Sequence, residues 1–296
     1  MVETSARVPS NAVKPVSEIQ GGNLTIKKAA EDLRNMYKTS TTNNFLIYGG
    51  TGAGKTTSLR TCRAPVLVHS FDPDGTRSLE GPINSIPYDT CIDNGKIMVD
   101  ARFEKEDPGN PTVYALWSKE MDRLEKMGMF DHIGTFAIDS LTFFGAAILN
   151  EVMKNARGGG KIINRAGDTP QQDDWMPQMV KIENSIRKIL SLPCDFVLIA
   201  HDAKVKDEVS GKTQCDILVT GKLSRRIPAL FSEQYHAETL EKSTGVERLF
   251  LTQKTGTYYA KTGMGSNNRL DIREPADIKA MLKKCGRDAT DKPSIM

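Results

Sequence analysis

The sequence predicts an α/β fold in which a mainly parallel, twisted sheet is covered by helices on both faces. A short apolar run at 44–48 precedes a glycine-rich stretch, and a helical segment follows that stretch from Lys55. Further apolar runs alternate with helical segments along most of the remaining chain. Of the 296 residues, 39% are hydrophobic and 26% are charged, which is typical of a globular protein with a packed core.

The glycine-rich stretch is the most specific motif. Residues 49–56 read Gly-Gly-Thr-Gly-Ala-Gly-Lys-Thr and fit the phosphate-binding pattern G-x-x-x-x-G-K-[ST] without a mismatch. Glycines allow backbone N–H groups to turn inward around an anion, and the following helix N-terminus favours phosphate. We expect Lys55 to reach the β- and γ-phosphates and the Thr56 hydroxyl to bind Mg²⁺. The alternative is a glycine-rich turn with an incidental lysine. The predicted nucleotide-binding residues are Gly49, Gly50, Thr51, Gly52, Ala53, Gly54, Lys55, Thr56 and Thr57.

Short apolar runs bounded by turn-forming residues predict the strands. The second run ends in the turn signal Asp72-Pro73-Asp74-Gly75, the third ends at Asp139, and the fourth ends at His201. Two later runs are expected to be partly exposed strands. The predicted strands are 44–48, 65–71, 134–140, 195–200, 247–251 and 257–260.

Apolar residues at helical spacing predict the helices. The clearest stripes run through Val113, Leu116 and Trp117 and through Ile182, Ile186 and Ile189. We expect 1–22 to be a mobile N-terminal tail, because Ser, Pro, Asn and Gly dominate it without periodicity. Residues 23–285 are expected to form a single domain and 286–296 a C-terminal tail. The predicted helices are 24–38, 55–62, 112–127, 141–155, 173–192, 221–231 and 276–284.

Composition limits the function classes only mildly. The net charge of +3 and pI near 8.5 are too small to establish a nucleic-acid partner. The five cysteines show no C-x-x-C pair or metal-binding spacing, so we read them as free thiols in a reducing compartment. No apolar run approaches the roughly 18 residues of a membrane span, and the N-terminus lacks the apolar core of a signal peptide. We therefore expect a cytoplasmic protein without a membrane partner.

Acidic and polar residues at strand ends are the candidates for further chemistry. Asp139 is placed to hold Mg²⁺ through water, although Asp139 and Ser140 would also cap the helix that follows. Ser140 stands where a catalytic Glu would follow the metal-binding Asp, so Asp72 and Asp74 are the nearest groups for activating water. An Asp-Pro-Asp-Gly turn without chemistry is the other interpretation. His201 is placed to respond to the γ-phosphate, or is an ordinary polar strand end.

Two segments have compositions that would suit contacts with single-stranded nucleic acid. Between 154 and 167 there are four basic residues, no acidic residue and the apolar pair Ile162-Ile163. Cations suit phosphates and apolar groups suit bases, although a solvated linker would have the same composition. The segment 202–220 carries Lys204 and Lys206 but is nearly neutral overall.

Four segments in this order resemble the RecA-type recombinase core, and most closely the short RecA-like ATPases of bacteriophages that act with single-strand annealing systems. They are the phosphate loop, the second strand with its acid, 136–140 and 196–201. The resemblance implies a RecA-like P-loop NTPase core that binds ATP and Mg²⁺, has a late antiparallel extension, and places the fourth strand between the first and third.

The resemblance also implies roles for individual residues. By position, Asp74 matches the catalytic acid, shortened from Glu, and His201 matches a switch residue that is usually Gln. With Lys55 and Asp139 they make the expected catalytic set, in which Thr56 and Asp139 hold the metal. Lys254 lies near the place where a neighbouring subunit contributes a lysine to ATP. The DNA-facing residues implied by the two loops are Arg157, Lys161, Ile162, Ile163, Arg165, Lys204 and Lys206.

The expected function is therefore a Mg-ATP-dependent phage recombination protein that binds single-stranded DNA and promotes annealing or strand pairing in the host cytoplasm. We expect a homo-oligomeric filament or ring, with a phage annealing or single-strand-binding protein as a further partner. One alternative is a slow or non-catalytic ATP switch that loads a replication or annealing partner. Another is a small-molecule kinase in which Arg225 and Arg226 clamp the transferring phosphoryl group.

Overall fold

A computed structural model describes residues 22–38, 42–75, 77–80, 96–206, 211, 213–243, 245–264 and 269–295. The predicted mobile tail at 1–22 lies almost entirely outside these residues. The chain divides into the units 1–41 and 42–296. In the first unit, the predicted helix is present as α1, Gly22–Lys38, with Ile26 and Leu33 both 68% exposed. The domain boundaries proposed from the sequence remain predictions.

The described residues of the second unit form a nine-stranded sheet and a separate two-stranded hairpin. The sheet order is β11-β10-β9-β1-β7-β4-β2-β3, and β8 pairs with β7. The hairpin consists of β5 and β6. The strands are β1 Asn44–Gly49, β2 Val66–Ser70, β3 Ile97–Asp100, β4 Thr135–Asp139, β5 Ala156–Gly158, β6 Lys161–Ile163, β7 Asp195–Lys206, β8 Thr213–Ile217, β9 Glu233–Lys242, β10 Gly245–Leu251 and β11 Arg273–Pro275.

The strand pairing confirms the predicted fold class. Strands β3, β2, β4, β7, β1 and β9 pair in parallel, and β10 and β11 extend the sheet in antiparallel fashion. The fourth predicted strand, β7, lies between β1 and β4, as the resemblance implies. The fold is a mixed α/β fold of the RecA-like P-loop type.

Helices cover both faces of the sheet, because successive strand residues alternate between two apolar cores. Leu46 and Tyr48 of β1 belong to one core, whereas Phe45 and Ile47 belong to the other. The first core packs against the helices at 113–126, 141–154, 175–189 and 223–229, and the second against the C-terminal helix. The helices after α1 are α2 Lys55–Ser58, α3 Arg77–Glu80, α4 Val113–Lys126, α5 Met129–His132, α6 Leu141–Lys154, α7 Trp175–Ile189, α8 Leu223–Ala229 and α9 Ile278–Lys284.

Two sequence predictions about local structure are wrong. The predicted strand 257–260 contains only isolated bridges, because its backbone turns at 255–258. The predicted polar loop from 202 is largely an antiparallel hairpin, in which β7 continues to Lys206 and pairs with β8. Ala203 and Val205 alternate with Lys204 and Lys206, which is the pattern of a half-exposed strand, and the sequence-based prediction overlooked it.

The segment after α9 contacts the loop before β2. Asp288 pairs with the Arg63 guanidinium at 3.0 Å, and Asp291 accepts a 2.7 Å hydrogen bond from the Ala64 N–H. The Lys292 N–H donates to the Ala64 carbonyl at 2.8 Å. Among the described residues, no helix has both the length and the apolar character needed to cross a membrane.

Candidate nucleotide-binding site

The carboxyl ends of four parallel strands bring the predicted site residues to one edge of the sheet. Gly49 ends β1 and lies in register with His201 of β7, while Asp139 ends β4 beside Ser70 of β2. This edge is where open parallel sheets bind their ligands. A cleft of about 330 Å³ opens here. Its lining residues are Thr51, Gly52, Gly54, Lys55, Thr56, Thr57, Asp72, Pro73, Gly75, Ser78, Asp139, His201 and Arg248.

The phosphate loop wraps around the Lys55 side chain. The Lys55 Nζ donates hydrogen bonds of 2.8 Å to the carbonyls of Gly49 and Gly50, and the residue is only 6% exposed. Burial lowers the pKa of its ammonium group. Gly54 has a φ of +86°, which disfavours any residue with a Cβ, and a Cβ there would also meet the Arg248 side chain. The pattern of glycines is therefore required by the backbone as well as by phosphate.

Thr56 and Asp139 form the second part of the site. The Thr56 hydroxyl donates a 2.5 Å hydrogen bond to Asp139 Oδ2, although 83 residues separate them. Asp139 is 2% exposed, and burial, reinforced by the Asp72 carboxylate, raises its pKa to about 7. A hydroxyl and a carboxylate so close together offer the hard oxygen donors that Mg²⁺ prefers. These residues therefore fit the metal that a phosphate loop of this type uses.

Asp72 follows β2 and contacts side chains from β7 and from the end of β4 at the floor of the cleft. Its Oδ2 lies 2.8 Å from His201 Nε2, and its Oδ1 accepts a short hydrogen bond from the Ser140 hydroxyl. The backbone N–H groups of Phe71 and Asp72 donate to the Asp139 carbonyl. A carboxylate held on both oxygens keeps one orientation, which is what a group that positions or deprotonates water needs.

The structure does not bring Asp74 into this cleft. Its side chain is 66% exposed and lies 3.8 Å from Arg77, and its backbone has a φ of +55°. The turn at 72–75 directs the first aspartate inward and the second one outward. The candidate acid from the resemblance is therefore corrected to Asp72, which the sequence offered as its neighbour.

The sequence did not identify Arg248 as a site residue. It lies on β10, pairs with Thr239 of β9, and its side chain covers Gly54 of the phosphate loop. The guanidinium adds a cation to a cleft that already contains Lys55. No local pattern identifies this residue, because it reaches the loop through the long-range pairing of β9 with β1 and the hairpin pairing of β10 with β9.

The first predicted DNA-facing segment folds as the hairpin β5–β6. Ile162 and Ile163 are 68% and 45% exposed, and Arg157 and Lys161 are also exposed. The structure does not support the same role for Arg165. Its guanidinium pairs with the buried Asp174 at 2.5 Å, so its charge is already neutralised.

The other predicted residues lie away from the cleft. Lys204 and Lys206 are exposed on the outer part of β7. The Lys254 ammonium lies 4.5 Å above the Tyr259 ring and does not line the cleft of its own chain. Arg225 pairs with Asp216 at 3.2 Å and Arg226 with Glu183 at 2.6 Å, so the proposed phosphoryl clamp does not face the phosphate loop.

The chain is similar to one family model and to several proteins of known structure. A family model described as an AAA domain, AAA_24, matches residues 41–264. Solved structures with a similar fold include a KaiC-like protein of the archaeon Pyrococcus horikoshii, with 14% identity over 79% of this chain and 84% of that chain and a TM-score of 0.43. Another is the flagellar accessory protein FlaH of Methanocaldococcus jannaschii, with 12% identity, 79% and 86% coverage and a TM-score of 0.39. No curated protein matches the chain.

Proposed function

The chain belongs to the AAA_24 family of AAA domains, and on that basis we propose that it is a magnesium-dependent ATPase. We further propose that its hydrolysis responds to single-stranded DNA. The fold is that of a RecA-like P-loop ATPase. The proposal has three further parts: dependence of the activity on DNA, assembly of an oligomer, and a role in recombination.

The observation that carries the ATPase proposal is the single cleft in which Lys55, Thr56, Asp139, Asp72 and His201 meet. Lys55 and the loop amides would bind the phosphates. Thr56 and Asp139 would hold Mg²⁺, which neutralises developing phosphate charge when bound. Asp72 would accept a proton from, or orient, the attacking water, and His201 would keep Asp72 in position.

Two observations support the DNA part of the proposal. The hairpin β5–β6 exposes two isoleucines beside Arg157 and Lys161, which offers apolar groups for bases and cations for phosphates. Strand β7 carries His201 at the cleft and Lys204 and Lys206 three and five residues later. A change at the γ-phosphate that moves His201 would therefore be transmitted along β7 to Lys204 and Lys206.

We also propose that the protein assembles as a homo-oligomeric filament or ring and promotes annealing or strand pairing in phage recombination. The support is the resemblance of residues 24–270 to RecA-like phage ATPases, including a lysine, Lys254, near the position of the lysine that acts in trans. An annealing or single-strand-binding protein is the partner that such a system would supply.

The test is phosphate release from Mg-ATP with and without single-stranded DNA. Lys55→Ala should abolish turnover, whereas the exposed Lys119→Ala should not. We expect DNA to raise the rate of the wild-type protein several-fold. ATP binding without turnover would favour the switch or loader instead, and transfer of phosphate to an acceptor would favour a kinase. Turnover that ignores DNA would remove the DNA part and leave the ATPase.

A further inference from the structure

A cluster of three potential metal ligands lies behind the phosphate loop, outside the nucleotide cleft. Asp202 and Cys215 lie on the hairpin β7–β8, and His236 lies on β9 opposite Tyr48. One ligand atom from each residue can be chosen so that all three lie within 4.8 Å of one another. The chain separation of these residues explains why no cysteine spacing revealed them.

The distances suit one small cation. Cys215 Sγ lies 3.2 Å and His236 Nε2 lies 3.6 Å from Asp202 Oδ2. Zinc bonds of 2.0–2.3 Å in tetrahedral geometry separate neighbouring ligand atoms by roughly 3.3–3.6 Å. The two distances from Asp202 Oδ2 therefore already match those between ligands of one zinc ion.

His236 provides a second, independent observation. The residue is 5% exposed, and neither ring nitrogen lies within hydrogen-bonding distance of a partner among the described residues. Buried polar groups are rarely left in this state, because an unmade hydrogen bond leaves the cost of removing the group from water uncompensated. Tyr258 stacks on the ring at a centroid distance of 4.0 Å, and the ring directs Nε2 toward Asp202.

The surroundings also resemble the outer shell of a zinc site. His236 Nδ1 lies 3.6 Å from Glu238 Oε1, and Arg273 holds the other oxygen of that carboxylate at 2.8 Å. Zinc-binding histidines usually direct their second nitrogen to such a carboxylate, which fixes the ring orientation. Magnesium and calcium are poor candidates, since they prefer all-oxygen ligands.

We propose that Asp202, Cys215 and His236 bind one Zn²⁺ ion, with Glu238 as the outer carboxylate and a water molecule in the fourth position. On binding, the Cys215 S–H proton that now points to Asp202 is released, and the thiolate takes the cation in its place. A cavity of about 780 Å³ borders Asp202, His236 and residues 50–53, and it can supply the water. The ion would fasten the hairpin β7–β8 to β9 directly beneath the phosphate loop.

The test uses untagged full-length protein with excess Mg²⁺ and no nucleotide, so that its outcome does not depend on the proposed ATPase activity. Metal analysis of protein purified with zinc should find one zinc per chain. After chelation, Co²⁺ should bind stoichiometrically and produce the absorption bands of tetrahedral cobalt, including a sulfur-to-cobalt charge-transfer band. Absence of stoichiometric uptake by the wild-type protein would overturn the proposal.

Variants identify the ligands. Cys215→Ser should lose the charge-transfer band, whereas Cys285→Ser, which removes an equally buried thiol, should keep it. Glu238→Gln should weaken Co²⁺ binding by about tenfold or more through its effect on His236. Circular dichroism confirms that each variant is folded. A band that survives in Cys215→Ser, or that disappears in Cys285→Ser, would contradict the assignment.

Discussion

Asp72 and Asp74 are two residues apart, yet their surroundings give them different chemical roles. Asp72 lines the cleft and contacts Ser140 and His201 with its two oxygens. Asp74 is 66% exposed at the tip of the turn. A carboxylate that must act on a water beside bound phosphate needs the first environment and not the second.

The two aspartates therefore make a matched pair of variants. We expect Asp72→Asn to lower kcat by about 100-fold or more while ATP still binds, because loss of a general base typically costs 10²–10⁴-fold. Asp74→Asn should stay within about twofold of the wild type. Steady-state phosphate release and nucleotide titration measure both quantities. The reverse pattern, with Asp74→Asn inactive and Asp72→Asn active, would restore the assignment made from the sequence.

His69 is a buried histidine that should make stability depend on pH. It is fully buried in β2, its Nδ1 accepts a 3.1 Å hydrogen bond from the Trp117 indole, and Phe103 and Phe136 surround it. Burial lowers its pKa from 6.5 to about 4, against the opposing influence of Asp100 and Glu120. Below pH 6.5 the unfolded chain binds a proton that the folded chain refuses, so stability falls as the pH drops toward 4.

We expect this group to remove about 2 kcal/mol from the free energy of unfolding between pH 7.5 and pH 5. Urea unfolding at the two pH values measures the change. His69→Gln keeps a hydrogen-bond acceptor without a titrating group, so its pH dependence should be weaker by that amount. His132→Gln, at an exposed position, should behave like the wild type. Equal slopes for His69→Gln and the wild type would contradict the prediction.

The site was predictable from the sequence only where its residues are local or end an apolar strand. The glycines, Lys55 and Thr56 follow each other in one motif, and Asp139 ends a run that is otherwise apolar. Arg248 and the proposed zinc ligands around His236 were not predictable, because the pairing of β9 with β1, which lie far apart in the chain, brings them into place. The choice between Asp72 and Asp74 depends on the backbone conformation of one turn. The sequence of that turn does not show which of the two aspartates faces the cleft.

Helix α6 connects the nucleotide cleft to the hairpin β5–β6. It begins two residues after Asp139 and ends two residues before Ala156. A helix of 14 residues is about 21 Å long. Its buried residues pack into the core under the sheet, so we expect it to move as a rigid element. The hairpin is therefore a suitable place for DNA contacts that depend on the nucleotide.

The hairpin prediction concerns its exposed isoleucines. The double variant Ile162→Ser and Ile163→Ser should weaken binding of single-stranded DNA by about tenfold or more, because fully burying one isoleucine side chain is worth about 1.5–3 kcal/mol and serine cannot replace that contact. ATP hydrolysis without DNA should remain within about twofold. Fluorescence anisotropy of a labelled oligonucleotide measures the first effect. Ile272→Ser removes an isoleucine that is 51% exposed elsewhere and serves as the control.

Unchanged DNA binding by the hairpin double variant, or an equal loss in Ile272→Ser, would argue against this surface. Substituting Arg165 should affect stability more than DNA affinity, since its guanidinium already pairs with Asp174. This difference would distinguish Arg165 from the exposed residues of the hairpin, with which the sequence grouped it by composition alone.

Strands that pack both faces into the core were predictable. Among the half-exposed strands, β10 was predicted from the run at 247–251, whereas β9 and the hairpin β5–β6 were not. β1, β2, β4 and the first half of β7 are short runs of buried apolar residues. β9 has five buried residues, then the half-exposed Glu238 and four exposed residues, and the hairpin β5–β6 is rich in glycine. These strands form because neighbouring strands supply hydrogen-bond partners. An amphipathic or glycine-rich sequence does not show where those partners lie.

The proposed role of Lys254 depends on assembly with a second copy of the chain. Within one chain its ammonium lies above Tyr259 and away from the phosphate-loop cleft. We propose that it contributes to the ATP site of a neighbouring copy. An interface that joins the Lys254 side of one copy to the phosphate loop of the next is heterologous, so it would generate a ring or filament.

Mixing two inactive variants tests this arrangement. Lys55→Ala removes the phosphate-binding lysine, and Lys254→Ala removes the lysine donated to the neighbour, so each variant alone should lose most of its activity. In a 1:1 mixed assembly, about a quarter of the interfaces combine an intact loop from one variant with an intact Lys254 from the other. ATP hydrolysis should therefore recover to about that fraction of the wild-type rate. If Lys254 acted within its own chain, no interface of the mixture could regain both lysines, and the activity would stay at the level of the separate variants.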